Sequence, residues 1–172
     1  MTALGLFQAL AVYAQGPSRH FRIGVLGVGT PEATVAVTLA FEQAMRDLGY
    51  VDGGSIAYEY RWARGVANRL PALAVELVQI PVDLIVVGTN AAIAAAKAAT
   101  STIPIVMVIA ADPVRQGFIQ SLARPGGNVT GLSADTGQEM QGKMLQLLNE
   151  TVPGLSTVGV LAQKGVGYDR RV

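Results

Sequence analysis

The chain is predicted to fold as an α/β domain built on a doubly wound, mostly parallel sheet. Three apolar runs, at residues 23–27, 83–88 and 105–109, each lead directly into a stretch with helix-forming character. Near-continuous apolar strands of this kind are buried on both faces, as parallel strands between helical layers are. A polar side chain stands at each strand-to-helix junction: Thr30, Thr89 with Asn90, and Asp112. In an open α/β sheet such junctions share one edge, and ligands bind outside the carboxyl ends of the strands.

Residues 22–28 read as the first strand. Thr30-Pro31 opens a helix, with Thr as cap and Pro at a position that has no donor to lose. Val37, Ala40, Phe41, Ala44, Met45 and Leu48 recur at helical spacing and are expected to form one buried face, closed by Gly49. Asp52-Gly53-Gly54 is a turn, and residues 55–62 alternate as a second strand. Residues 68–80 form the next helix with Leu70, Leu73, Ala74, Leu77 and Val78 inward, and Pro81 stops it. The alanine-rich helix of residues 90–100 can lie close to the sheet because its side chains are small. Residues 104–110 make a fourth strand, and Asp112-Pro113 is expected to open a helix reaching about residue 122. Breakers at residues 124–128 precede a short fifth strand, 129–133, then a helix at 138–149 with Met140, Met144, Leu147 and Leu148 on one side. Residues 157–162 read as a sixth strand that begins a new unit without partners before residue 172, so the sequence reads as cut off early in a second lobe.

Composition narrows the function. Of the 172 residues, 51% are apolar and mean hydropathy is +0.39, enough for a core without covalent staples. A charged fraction of 15% and a net charge of +1 argue against nucleic acid, which needs clustered Lys and Arg. Cysteine is absent, which excludes disulfides and thiolate metal sites. The uncharged apolar run of residues 4–14 reads as an export signal spanning residues 1–14, although no Lys or Arg precedes it; a frayed helix is the alternative. The later apolar stretches are interrupted by Asp83, Gly88 and Pro104 and do not read as transmembrane helices.

The junction residues suit a small zwitterion. Thr30, Thr89, Asn90 and Ala91 stand where helix N-terminal amides favour an anion such as a carboxylate. For Thr30 and Asn90, capping alone is the competing role, and one residue can do both. Asp112 is either an anion for an ammonium group or a cap before Pro113, and Ser133 is a weaker contact candidate. Tyr60 and Trp62 end the second strand near this rim, where an aromatic wall and plain packing are both open. Gly24, Gly27 and Gly29 suggest a dinucleotide fingerprint, but Glu32 stands where the third Gly belongs and would face a pyrophosphate. No P-loop or Gly-x-Ser-x-Gly elbow is present, His20 is the single histidine, and Glu59, Asp83 and Asp112 are not paired for acid–base work. No enzyme, cofactor or metal is expected.

Several stretches together carry a resemblance: Arg22-Ile23-Gly24-Val25-Leu26, Leu48-Gly49-Tyr50, Glu59-Tyr60-Arg61-Trp62-Ala63, and Arg69 through Ala74. Ser101 through Val106, Asp112-Pro113-Val114, and Leu122 through Leu132 continue it in order. The chain resembles the substrate-binding proteins of ABC importers, in the tryptophan/tyrosine-type family with the periplasmic-binding-protein type I fold. The resemblance implies an N-terminal ligand-binding lobe at residues 20–131 and the start of a truncated second lobe at 132–172. It also implies a hinge crossing within residues 129–133, a periplasmic location, a small amino-acid-like ligand such as an aromatic amino acid, and a membrane permease as partner. A cytosolic flavodoxin-like or nucleotide-binding enzyme domain is the alternative from a different class, and a nonfunctional fragment with the last helix exposed is a third.

Overall fold

A computed structural model describes residues 20–134 and 137–159 of the chain. The chain divides into two compact units, residues 1–135 and 136–172. The first contains β1 (Phe21–Gly27), α1 (Pro31–Asp47), β2 (Ile56–Trp62), α2 (Leu70–Gln79), β3 (Leu84–Val87), α3 (Asn90–Ala99), β4 (Ile105–Ala110) and β5 (Val129–Ser133). The second contains α4 (Gly137–Thr151).

The five strands form one sheet in the order β2-β1-β3-β4-β5, with every adjacent pair parallel. From β1 the chain steps outward to β2, then returns to β3 on the other side of β1. That reversal is the topological switch point, and it lies between the tips of β1 and β3.

Side-chain alternation along β1 assigns the two faces. Gly24 and Leu26 face α2: a Cβ on Gly24 would stand 3.3 Å from Leu77, and Leu26 belongs to the larger core with Leu77, Ile85, Ile93, Ile105 and Met107. From α2 this core takes Leu70, Leu73, Ala74 and Leu77, and from α3 Ala92, Ile93, Ala95 and Ala96. Each fully buried Leu or Ile adds about 1.5–3 kcal/mol relative to exposure. The four small or compact side chains of α3 let it sit close against β3 and β4, which carries its N-terminus to the rim.

The opposite face holds a smaller core of Ile23, Ile56 and Val86, against which Phe41, Met45 and Tyr58 pack. Here the expected buried face of α1 is corrected. Phe41 and Met45 reach the sheet, but Val37 and Leu48 are 69% and 72% exposed, and Ala40 and Ala44 are exposed as well. Val37, Ala40, Ala44 and Leu48 occupy the flank of α1 away from Glu42, whose carboxylate bonds Tyr60 of β2. Val108 on β4 and Leu132 on β5 are also exposed.

Two further expectations fail. Residues 113–122 form turns, not a helix: Gln116 N–H reaches Asp112 O at 3.0 Å, then Gly117 turns the chain left-handed at φ 70°. The sixth strand does not form over residues 157–159, and residues 160–162 lie outside the described part. In α4 the apolar side chains Met144, Leu147 and Leu148 are exposed, while the side chain of Met140 lies outside the description, as does the expected export signal.

Candidate functional site

All the junction residues singled out in the sequence lie at the carboxyl ends of neighbouring strands. Thr30 follows β1, Thr89 to Ala91 follow β3, Asp112 follows β4, and Ser133 ends β5. Ser133 pairs with Ala110, two residues before Asp112. The tips of β3 and β4 are tied directly: Asn90 Nδ2 donates to Ala111 O at 2.8 Å and Asn90 Oδ1 accepts from Ala111 N–H at 3.0 Å.

The two helix N-termini at the switch point differ in charge. Thr30 caps α1, its hydroxyl oxygen accepting from Ala33 N–H at 3.2 Å. Glu32 sits in the first turn, and a backbone hydrogen bond, followed by one from the Thr30 hydroxyl, holds its carboxyl below the usual range. The positive end of α1 is therefore already matched by an internal anion. α3 has no acid in its first turn. Thr89, not Asn90, is its cap, accepting from Ala92 N–H at 3.3 Å. The N–H groups of Asn90 and Ala91 are first-turn donors with no intrahelical partner, so α3 presents the uncompensated positive end.

Asp112 has a left-handed backbone, φ 48°, and caps a turn by accepting from Arg115 N–H at 3.3 Å. Its carboxylate also pairs with the Arg115 guanidinium. An ammonium group arriving here would join an existing ion pair. Arg64, after β2, is the other non-glycine left-handed residue among those described, at φ 53°. Its N–H donates to Gly29 O at 3.0 Å, which fastens the β2 tip over the β1–α1 loop. Residue type and spacing gave no sign of that conformation.

Trp62 pairs with Gly27 at the last step of the β1–β2 ladder. Its indole lies where a side chain on Gly27 would go, with Cζ3 at 2.1 Å from an ideal Cβ position. It also stacks on Tyr60 with centroids 5.8 Å apart and planes 8° apart.

The other carboxylates are elsewhere. Asp83 accepts from Arg22 N–H at 2.8 Å, at the opposite end of the strands, and Glu59 lies within β2 beside Arg22 and Arg61, each at 3.8 Å. No group of three metal-ligating side chains occurs among the described residues, and no described helix is long and apolar enough to cross a membrane. A shallow cavity of about 290 Å³ lies away from the rim, between Lys97, Phe118 and Asn128.

Comparison with known proteins gives this rim a context. A family model described as ABC transporter substrate binding protein matches residues 23–167. The chain is 34% identical over 121 residues to a tyrosine-binding protein of Clostridioides difficile (strain R20291), covering 70% of this chain and 34% of that protein. Among solved structures, it is similar to an ABC domain in complex with L-Trp from Streptococcus pneumonia, with 25% identity and a TM-score of 0.61 over 66% of this chain and 38% of that one. A conserved domain protein from Vibrio cholerae gives 27% identity and a TM-score of 0.67, covering 79% and 45%. A ligand-free, open substrate binding protein with adhesive properties from Clostridium difficile gives 27% and 0.64, covering 74% and 43%. The chain thus spans between about a third and a half of the length of these relatives. With a parallel sheet whose polar rim faces outward and a family match running through most of its length, the chain belongs to the ABC transporter substrate-binding protein family.

Proposed function

We propose that the chain supplies one wall of an extracytoplasmic solute receptor that delivers a small amino acid to an ABC permease. The open N-terminus of α3 carries this reading: with no acid in its first turn, it presents Thr89, Asn90 and Ala91 to a solute carboxylate at the switch point. Asp112 supplies the anion for the ammonium group, sharing it with Arg115. Thr30 and Ser133 border the same solute from β1 and β5. Relatives bind tyrosine or L-Trp by their descriptions, which makes an aromatic amino acid the first candidate.

The lobe comprises residues 20–131, with residues 132–172 beginning a second lobe and residues 1–14 serving as an export signal. Gly131, at φ 137° with Met107 O at 2.1 Å from any added Cβ, lies within the proposed hinge crossing of residues 129–133. Closure of the second lobe then completes the site. Family membership removes the enzyme alternative, since these are transporter binding proteins.

The test is amide chemical-shift titration of the chain with L-phenylalanine and L-leucine. Weak, saturable shifts confined to Thr30, the Thr89–Ala92 turn and the Asp112 turn are expected. Absence of rim shifts with both amino acids, or shifts centred on the Lys97 cavity, would reject the assignment.

A further inference from the structure

The face of the sheet that carries α1 is covered over one half only. Glu42 bonds Tyr60 and so turns one flank of α1 over β2. The opposite flank, with Val37, Ala40, Ala44 and Leu48, therefore overhangs β3. Beyond β3 the floor of this face consists of Val106 and Val108 on β4 with Thr130 and Leu132 on β5, because Ile105, Met107 and Val129 belong to the core on the other face. Val108, Thr130 and Leu132 are exposed. Flank and floor form an open, largely apolar groove alongside α1, on a parallel sheet of the kind that is almost always covered on both faces.

α1 also carries more apolar surface than a helix with one buried face needs. Residues 33–41 hold no charge, and Val35, Ala36 and Leu39 are exposed outside the sheet-facing side. A helix that is apolar all round is one that is buried all round. Whatever fills the groove must therefore meet the floor and the flank, and must also bring a second surface over the outer side of α1. A lone segment lying in the groove leaves Val35 and Leu39 bare. A second copy of this face covers them, because its helix enters the groove while its own bare floor lies over α1.

We propose that this face is the interface between two copies of the chain, related by a two-fold axis running along α1. The two α1 helices lie side by side, each on its own sheet and beneath the other copy's floor. Spacing supports this arrangement. From β1 to β4 is two strand spacings, about 10 Å, which matches the roughly 8–10 Å between packed helices. The seam consists of Val37, Ala40, Ala44 and Leu48, spaced three and four residues apart, and its alanines allow close approach. Val35 and Leu39 meet Val108 and Leu132 of the other copy. α1, with 17 residues, is about 25 Å long, and floor, flank and outer side together extend about 30 Å across. Each copy thus contributes about 750 Å², close to the roughly 800 Å² per partner of a stable interface. An axis along α1 leaves both polar rims uncovered at the same end of the pair, so the inference is independent of what binds there.

Sedimentation velocity of the chain over a dilution series tests this. A closed dimer of about twice the 17.9 kDa of one copy is expected. Val37→Glu, at an exposed position of α1, should weaken the dimer about tenfold or more, because each copy then buries a charge in the seam. Val75→Glu, on the exposed side of α2, should leave it unchanged. The chain has no cysteine, so Ala44→Cys introduces a single thiol. Helices side by side on this axis set the two copies of that residue opposite each other, and mild oxidation should join them covalently. That variant decides the matter if Val37→Glu fails to fold. A monomer at every concentration, open-ended assembly, or no cross-link through Ala44→Cys would overturn the proposal. So would a dimer that survives Val37→Glu, or one that is lost instead on Leu147→Glu in α4.

Discussion

The indole of Trp62 and the missing side chain of Gly27 occupy the same space. Ring atoms Cζ3 and Cε3 stand 2.1 and 2.3 Å from where a Cβ would be. The glycine is required here for close approach, not for its backbone, because its φ is not left-handed. Gly27→Ala should therefore expel the ring from its seat and cost about 1–3 kcal/mol, as overpacking does. Denaturant unfolding followed by Trp62 emission measures both effects at once. Native-like emission with unchanged stability would show that the seat is not filled as described.

Tyr60 and Glu42 predict a specific alkaline response. Burial first and the Glu42 bond second raise the phenol above its ordinary value of 10.0 in the folded chain. A group with a raised folded pKa keeps its proton while the unfolded chain loses it. Stability contributed by Tyr60 is therefore full below about pH 10 and falls as pH rises beyond it. Tyr60→Phe removes a hydrogen bond to a carboxylate and should cost about 1–2 kcal/mol near neutrality. It should also flatten the alkaline loss, leaving the smaller part from Tyr58, whose phenol burial also raises. Urea midpoints from pH 7 to about pH 11 test this; an alkaline limb as steep in the variant as in the parent would contradict it.

What could be read from sequence alone was the alternation of buried strands and helices, because parallel strands need apolar residues on both faces. The Thr30 cap was readable because its chemistry is local, whereas the cap of α3 was placed one residue late, on Asn90 instead of Thr89. The face of α1 was not. Helical periodicity groups Val37 and Leu48 with Phe41 and Met45, but only tertiary packing decides which part of a wide apolar arc meets the sheet. Asp112-Pro113 looks like a helix start, yet the left-handed Asp112 and Gly117 make it a turn. The longest family stretch, around Asn128, braces the far end of the sheet: its amide donates to Thr100 O and Ile103 O at 3.1 and 2.8 Å. Motif strength therefore marked scaffold as much as site. For Trp62 the sequence left wall and packing both open, and its seat against Gly27 is a cross-strand contact that spacing along the chain does not reveal.

Asn90 separates stability from binding. Its side-chain amide holds both polar groups of Ala111, at 2.8 and 3.0 Å, across the tips of β3 and β4. Asn90→Ala removes both bonds at an exposed position, which should cost about 1 kcal/mol and speed hydrogen exchange at the Ala111 amide. Asn90→Asp behaves differently. An aspartate oxygen still accepts from Ala111 N–H, but the donor to Ala111 O is lost and a carboxylate oxygen faces that carbonyl. This opposes the gain of about 0.3–1 kcal/mol by which the charge is favoured in the first turn of α3. The same charge fills the positive end that the proposed site offers to a solute carboxylate. Asn90→Asp should thus be destabilised by an amount similar to Asn90→Ala, yet only the aspartate variant should lose the amide shifts that L-phenylalanine induces at Ala91 and Ala92. If the aspartate variant binds amino acids as the parent does, the α3 N-terminus does not hold the carboxylate.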